Sequence, residues 1–115
     1  MNFLEDIKSK FEKNEVVDIV YYGPSTTSVE YVLPNWGEII GRVLKLELDK
    51  NFTDYHQVWW NLFVHNMGLD GAKTEDLLFR LRDLVLSKKP ALVILHAGTN
   101  DYYYSVDKKE TRKNI

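Results

Sequence analysis

Three predominantly apolar runs dominate the chain: VVDIVYY at 16–22, VWWNLFVHN at 58–66 and ALVILHA at 91–97, each leading into a loop that carries glycine. A strand with one face in water alternates apolar and polar residues, whereas a strand covered on both faces is apolar throughout. Runs of this kind therefore predict strands buried between two layers. The stretches between them carry apolar residues at helical spacing: Trp36, Ile39, Ile40, Val43, Leu44 and Leu46 in 35–48, and Leu77, Leu78, Leu81, Leu84 and Val85 in 74–87. Phe3, Leu4, Ile7 and Phe11 predict an earlier amphipathic helix over 2–14. Strands alternating with helices make a parallel sheet with right-handed crossovers and helices on both faces.

The expected fold class is thus α/β, a three-layer α/β/α flavodoxin-like parallel sheet. Gly23-Pro24 stops the first run, a loop follows through about Pro34, and Lys88-Lys89-Pro90 closes the helix before the third run. Asp107, with Glu110 three residues later, resembles a capping box that opens one more helix. The chain reaches Ile115 soon afterwards, so the sheet is expected to be truncated after its third strand. An exposed sheet edge and an uncovered apolar face would then favour self-association into a homo-oligomer.

A chain of 115 residues, 44% hydrophobic and 28% charged, has the composition of one ordinary globular unit, and residues 1–115 read as a single domain. Its net charge is -2 with both signs interspersed, which gives no footprint for nucleic acid or an anionic membrane. The absence of cysteine excludes disulfides, zinc-thiolate sites and a cysteine nucleophile. Acids interrupt the N-terminal MNFLEDIKSKFEKNE, and no stretch has the length and apolarity of a signal peptide or membrane span, so a cytoplasmic protein is expected. His and acidic residues lack metal-ligand spacing, and neither GxGxxG nor a P-loop is present, so neither a metal nor another cofactor is implied.

In an open parallel sheet, ligands bind beyond the carboxyl ends of the strands. The loops that gather there hold GPSTTS, NMGLDG and GTND. Between them they supply a hydroxyl on a tight turn, backbone N–H groups that glycine leaves approachable, and a neutral amide donor. Those are the parts of a nucleophile and an oxyanion hole for acyl transfer.

In that order, YYGPSTTS, NMGLDGAKTEDLLFRL and LVILHAGTND resemble the first three sequence blocks of the SGNH (GDSL-like) hydrolases. The blocks span 16–101, and the resemblance implies a serine esterase acting on a small-molecule ester through an acyl-enzyme. It implies Ser25 as nucleophile, with oxyanion donors in the N–H groups of Ser25 and Gly71 and the side-chain amide of Asn100. Gly68 and Asn66 would shape the second loop, and Tyr102, first of the tyrosines after the third block, would wall the substrate pocket. An O-acetyl sugar, an acyl lipid and a thioester all suit such a site.

Two features depart from the family pattern. Pro24 stands where the family usually has Asp, replacing a bracing side chain by a ring that fixes φ and lacks an N–H. The family's base is a late histidine three residues after an aspartate, whereas His56, His65 and His96 all come early and none follows an Asp at that spacing. His56 is expected in a polar loop, His65 at the end of the second strand, and His96 inside the third strand facing a helix. This chain alone is therefore expected to be nearly inactive. A non-catalytic binding module on the same sheet is the alternative. For Ser25 a structural role as turn or cap residue stands beside the catalytic one, and the same holds for Gly68, Gly71 and Asn100.

Overall fold

The computed structural model describes residues 2–30 and 33–115. Its sheet has three parallel strands, β1 (Val17–Gly23), β2 (Leu62–Gly68) and β3 (Leu92–Leu95), in the order β2-β1-β3. The helices are α1 (Phe3–Glu12), α2 (Trp36–Asp49), α3 (Tyr55–Trp59), α4 (Thr74–Leu84), α5 (Thr99–Tyr103) and α6 (Lys108–Asn114), with a 3-10 turn at Leu86–Lys88. The α/β architecture read from the apolar runs is the one observed. Tyr31 and Val32 of the loop expected through Pro34 lie outside the described residues.

β1 is the central strand, and its alternating side chains feed two cores. Val17, Ile19 and Tyr21 join Ile7 and Phe11 of α1, Val58 of α3 and Leu62 of β2, with Leu44 and Leu48 of α2 packed alongside. Val20 and Tyr22 point the other way, onto Leu77, Leu81 and Leu84 of α4 and onto Ala72 and Val85. The buried Tyr22 hydroxyl donates to the Leu77 carbonyl at 2.6 Å. Phe63, Val93 and Leu95, on the α4 side of the sheet, stay 46%, 39% and 48% exposed. Among the described residues no helix is long and apolar enough to cross a membrane.

Several sequence expectations need correction. The run at 58–66 is not one strand, because α3 occupies Tyr55–Trp59 and β2 starts at Leu62. Asp54 caps α3 by accepting from His56 N–H at 2.9 Å, and Tyr55 stacks on Trp59 while His56 packs on Trp60. These i,i+4 aromatic contacts reward a helix where β-propensity predicts a strand. The strand also runs on to Gly68, so His65 lies within β2 and accepts no end position, while His56 belongs to α3.

α2 turns a partly different face inward: Trp36 and Leu44 pack on the core as expected, joined by Leu48, but the rest of the expected face does not. Its buried residues are Gly37 and Gly41, whereas Ile39, Ile40, Val43 and Leu46 are each about half exposed. A Cβ on Gly37 would lie 2.6 Å from Cδ2 of Tyr21, and one on Gly41 would lie 3.2 Å from Cγ2 of Val64. At Gly37 a side chain would force the Tyr21 ring to shift, and at Gly41 Val64 would have to give by a few tenths of an ångström, so the glycines let the helix approach the sheet closely. Leu78 of α4, expected inward, is 50% exposed, because α4 meets the sheet through Leu77 and Leu81. The GTND segment, expected as an exit loop, opens helix α5 at Thr99. Asp107, by contrast, caps α6 as expected, accepting from Lys109 N–H at 2.7 Å.

Gly37→Val should lower the unfolding free energy by about 1–3 kcal/mol, since it overpacks a closed contact. Urea denaturation followed by tryptophan fluorescence checks this, and an unchanged midpoint would contradict the close packing of α2.

Candidate active site

Parallel strands put the exits of β1, β2 and β3 on one rim, and because β1 is central the Ser25 turn sits between the other two exits. Gly23 pairs with Gly68 in register, and Leu69 N–H donates to the Gly23 carbonyl at 2.8 Å. A Cβ on Gly68 would fall on the backbone of Thr27 and Ser28, and one on Gly23 would meet the Thr27 hydroxyl and the His96 carbonyl. The two glycines therefore allow the first turn to lie directly over the ends of its neighbours.

Ser25 heads a compact turn in which Thr27 and Ser28 N–H donate to the Pro24 carbonyl at 2.9 and 3.2 Å. Ser28 N–H also reaches the Ser25 carbonyl at 3.1 Å. Asn66 donates from Nδ2 to the Thr27 carbonyl at 2.7 Å and to Glu38 at 3.1 Å, while its Oδ1 accepts from Gly68 N–H at 3.0 Å. Asn66 and Gly68 are thus joined directly to the Ser25 turn. Glu30 and Asp70, from the first and second exits, face each other; a hydrogen bond that the protonated Glu30 carboxyl donates to Asp70, and the repulsion between the two carboxylates, push the Glu30 carboxyl up.

The second and third exits are joined independently. Asn100 donates from Nδ2 to the carbonyl of Ala72, the residue after Gly71, at 2.9 Å. Asp101, 2% exposed, accepts from the Thr74 N–H at 2.9 Å and from the Thr74 hydroxyl at 2.5 Å, with the Thr111 hydroxyl at 3.4 Å. It caps the start of α4 from another loop, because Lys73 makes no side-chain cap to the helix. Burial by itself raises the Asp101 carboxyl, but the bonds from Thr74 and Thr111 outweigh it and hold the group below its ordinary value.

His96 corrects the expectation of a strand residue facing a helix. β3 ends at Leu95, and the His96 ring spans the rim, with Nδ1 2.9 Å from the Thr26 hydroxyl and Nε2 3.1 Å from the Thr99 hydroxyl. The ring joins the Ser25 turn to the Asn100 loop and forms no hydrogen bond with Ser25 itself. His65 is held far down the strands by Asp18, at 2.6 Å, and His56 by Asp54, at 3.0 Å. Gly71 has a φ of +69°, where glycine carries no steric cost, and lies exposed beside the rim. Among the described residues, neither Ser25 N–H nor Gly71 N–H donates within the protein. Tyr102 is 87% exposed and lines a cavity of about 430 Å³ with Gly98, Asp101, Lys108 and Arg112, and with none of Ser25, Gly71 or Asn100.

Solved structures with a similar fold include esterases. The chain superposes on the acetyl xylan esterase AlAXEase with a TM-score of 0.66 at 23% identity, covering 85% of this chain and 48% of that one. On AlinE4, an SGNH-hydrolase family esterase, the TM-score is 0.61 at 25% identity, covering 87% and 49%. TesA gives 0.61 at 23%, covering 84% and 49%. The fold is that of the SGNH hydrolases. The chain spans about half the length of each of these structures. No protein-family model matches the sequence, and no curated protein matches it significantly.

Sequence reading missed His96, Thr26 and Thr99 as a unit, offered Asp101 only as a turn or cap residue with no partner named, and left Thr74 without a role. Asp101 was visible within GTND, but its partner lies 27 residues away and no spacing rule connects them.

Asp101→Ala should destabilise the chain by about 1–3 kcal/mol by leaving the Thr74 groups unsatisfied. Because the folded carboxyl titrates below its ordinary value, its contribution is present above the ordinary carboxylate range and fades as pH falls through the folded value. Denaturation midpoints measured across the acid limb should show that component in the parent chain and lack it in Asp101→Asn.

Proposed function

We propose that this chain carries the nucleophile and oxyanion donors of a serine ester hydrolase. Ser25 Oγ attacks the ester carbonyl, and the developing oxyanion is received by the N–H groups of Ser25 and Gly71 and by the second Nδ2 hydrogen of Asn100. The observation that supports this most is the state of those donors. The turn satisfies its neighbours and leaves the N–H of Ser25 unengaged, Gly71 N–H is equally free, and the Asn100 amide is held next to Gly71 with one hydrogen already used. Donors fixed before reaction need no reorganisation when charge develops, which favours the transition state over the ground-state carbonyl.

No histidine among the described residues is hydrogen-bonded to Ser25, and each ring is held by other partners. A serine without a base is a weak nucleophile, so the chain by itself has little hydrolytic activity and requires a base from elsewhere in the complete enzyme. The same fact favours a second reading, a binding module that uses the rim without chemistry.

In the full-length protein a fluorophosphonate probe should label Ser25, and Ser25→Ala should abolish labelling and the hydrolysis of p-nitrophenyl acetate. Asn100→Ala should lower kcat by about 100- to 1,000-fold. Absence of labelling, with a folded protein, favours the binding module. Because one structural neighbour is an acetyl xylan esterase, acetylated xylan belongs beside simple acyl esters in the substrate panel.

A further inference from the structure

The carbonyls of the Ser25 turn are gripped from outside it. Thr26 C=O accepts from Trp36 Nε1 at 3.0 Å and from Asn35 Nδ2 at 3.4 Å. Ser28 C=O accepts from Asn35 Nδ2 at 3.1 Å, and Thr27 C=O from Asn66 Nδ2. With the Pro24 and Ser25 carbonyls taken by Thr27 and Ser28 N–H, every carbonyl from 24 to 28 is engaged. Asn35 is fully buried and works in both directions, because its Oδ1 caps α2 by accepting from Gly37 N–H at 2.9 Å. The Trp36 ring is fixed in turn against Tyr21 of the central strand, at 5.0 Å between centroids.

A peptide plane whose carbonyl is held cannot rotate, so the N–H of the following residue is held too; the grip on the Thr26 carbonyl fixes the Thr27 N–H, which donates to the Pro24 carbonyl, and that carbonyl shares its plane with the Ser25 N–H. We propose that Asn35, assisted by Trp36, is the positioning residue for the nucleophile turn: it fixes the turn on the start of α2 so that Ser25 presents its hydroxyl and its N–H together. This inference rests on the reading of Ser25 as nucleophile. Asn35 touches no reacting atom, and its effect is transmitted through the carbonyls of Thr26 and Ser28. Buried polar side chains of this kind are dispensable for capping alone, since serine caps a helix about as well as asparagine.

Asn35→Ser keeps the cap and removes both donated bonds; Trp36→Phe keeps the ring and removes the Nε1 donor. In the full-length protein, each should reduce kcat and the rate of fluorophosphonate labelling by about 10- to 100-fold with KM nearly unchanged. Amide exchange at Thr27 and Ser28 should accelerate by about tenfold or more, while circular dichroism stays that of the parent. A merely structural role predicts a lower melting point with an unchanged kcat among folded molecules, and that result overturns the proposal. Unchanged amide exchange in Asn35→Ser overturns it as well. If the parent protein is not labelled at Ser25, the esterase reading fails on its own account, and the exchange measurement still decides whether Asn35 holds the turn.

Discussion

β1 is buried on both faces, between β2 and β3 and under two helical layers, and every other placement in the molecule follows from that. Its odd-numbered residues anchor α1, α2 and α3, its even-numbered ones anchor α4, and its carboxyl end delivers Ser25 to the middle of the rim. A central strand has no free edge, so its register is fixed from both sides and the turn that leaves it inherits that fixity. Gly23 and Gly68 complete the constraint, because the turn folds back across strand ends where a single methyl group would collide with backbone.

The rim is then a set of ties between segments distant in sequence. Asn66 binds the second exit to the first, His96 binds the first to the third, and Asn100 with Asp101 binds the third to the second. Each tie uses a side chain against a backbone group or a hydroxyl, so the loops are held without a hydrophobic cluster of their own. Burial of polar groups is tolerable there because most find partners. Among the described residues, Tyr21 Oη, Thr27 Oγ1 and Glu38 Oε2 do not, and are buried without a hydrogen bond. Burial and the nearby Glu38 carboxylate accordingly raise the Tyr21 hydroxyl above its ordinary value.

Much of this was legible in the chain, and the failures share a cause. Apolar runs reveal strands because burial on two faces leaves a continuous signal, and VVDIVYY and ALVILHA were located to within a residue or two. The run beginning at Val58 misled because Trp59 and Trp60 suit a strand, yet they stack on Tyr55 and His56 at helical spacing once Asp54 has capped the turn. α2 misled in part because Gly37 and Gly41, which carry no hydropathy signal, share its inward face with Trp36, Leu44 and Leu48, so periodicity also pointed to the exposed Ile39, Ile40 and Val43. The three rim loops were visible as glycine, serine and asparagine in the right order. Asn35 was not singled out, and His96 was placed inside the third strand facing a helix, since their partners lie across the fold and neither residue type has a spacing that announces it.

Asp101 alters the electrostatics of the rim in a way the motif does not suggest. The amino end of a helix carries a partial positive charge and ordinarily attracts anions. At α4 that field already has a resident carboxylate, bonded to both groups of Thr74, three residues after Gly71. An anion bound near Gly71 would therefore draw little help from the helix dipole and would depend on individual N–H bonds. Its stabilisation is short-ranged and directional, and hence sensitive to displacements that a diffuse field would forgive.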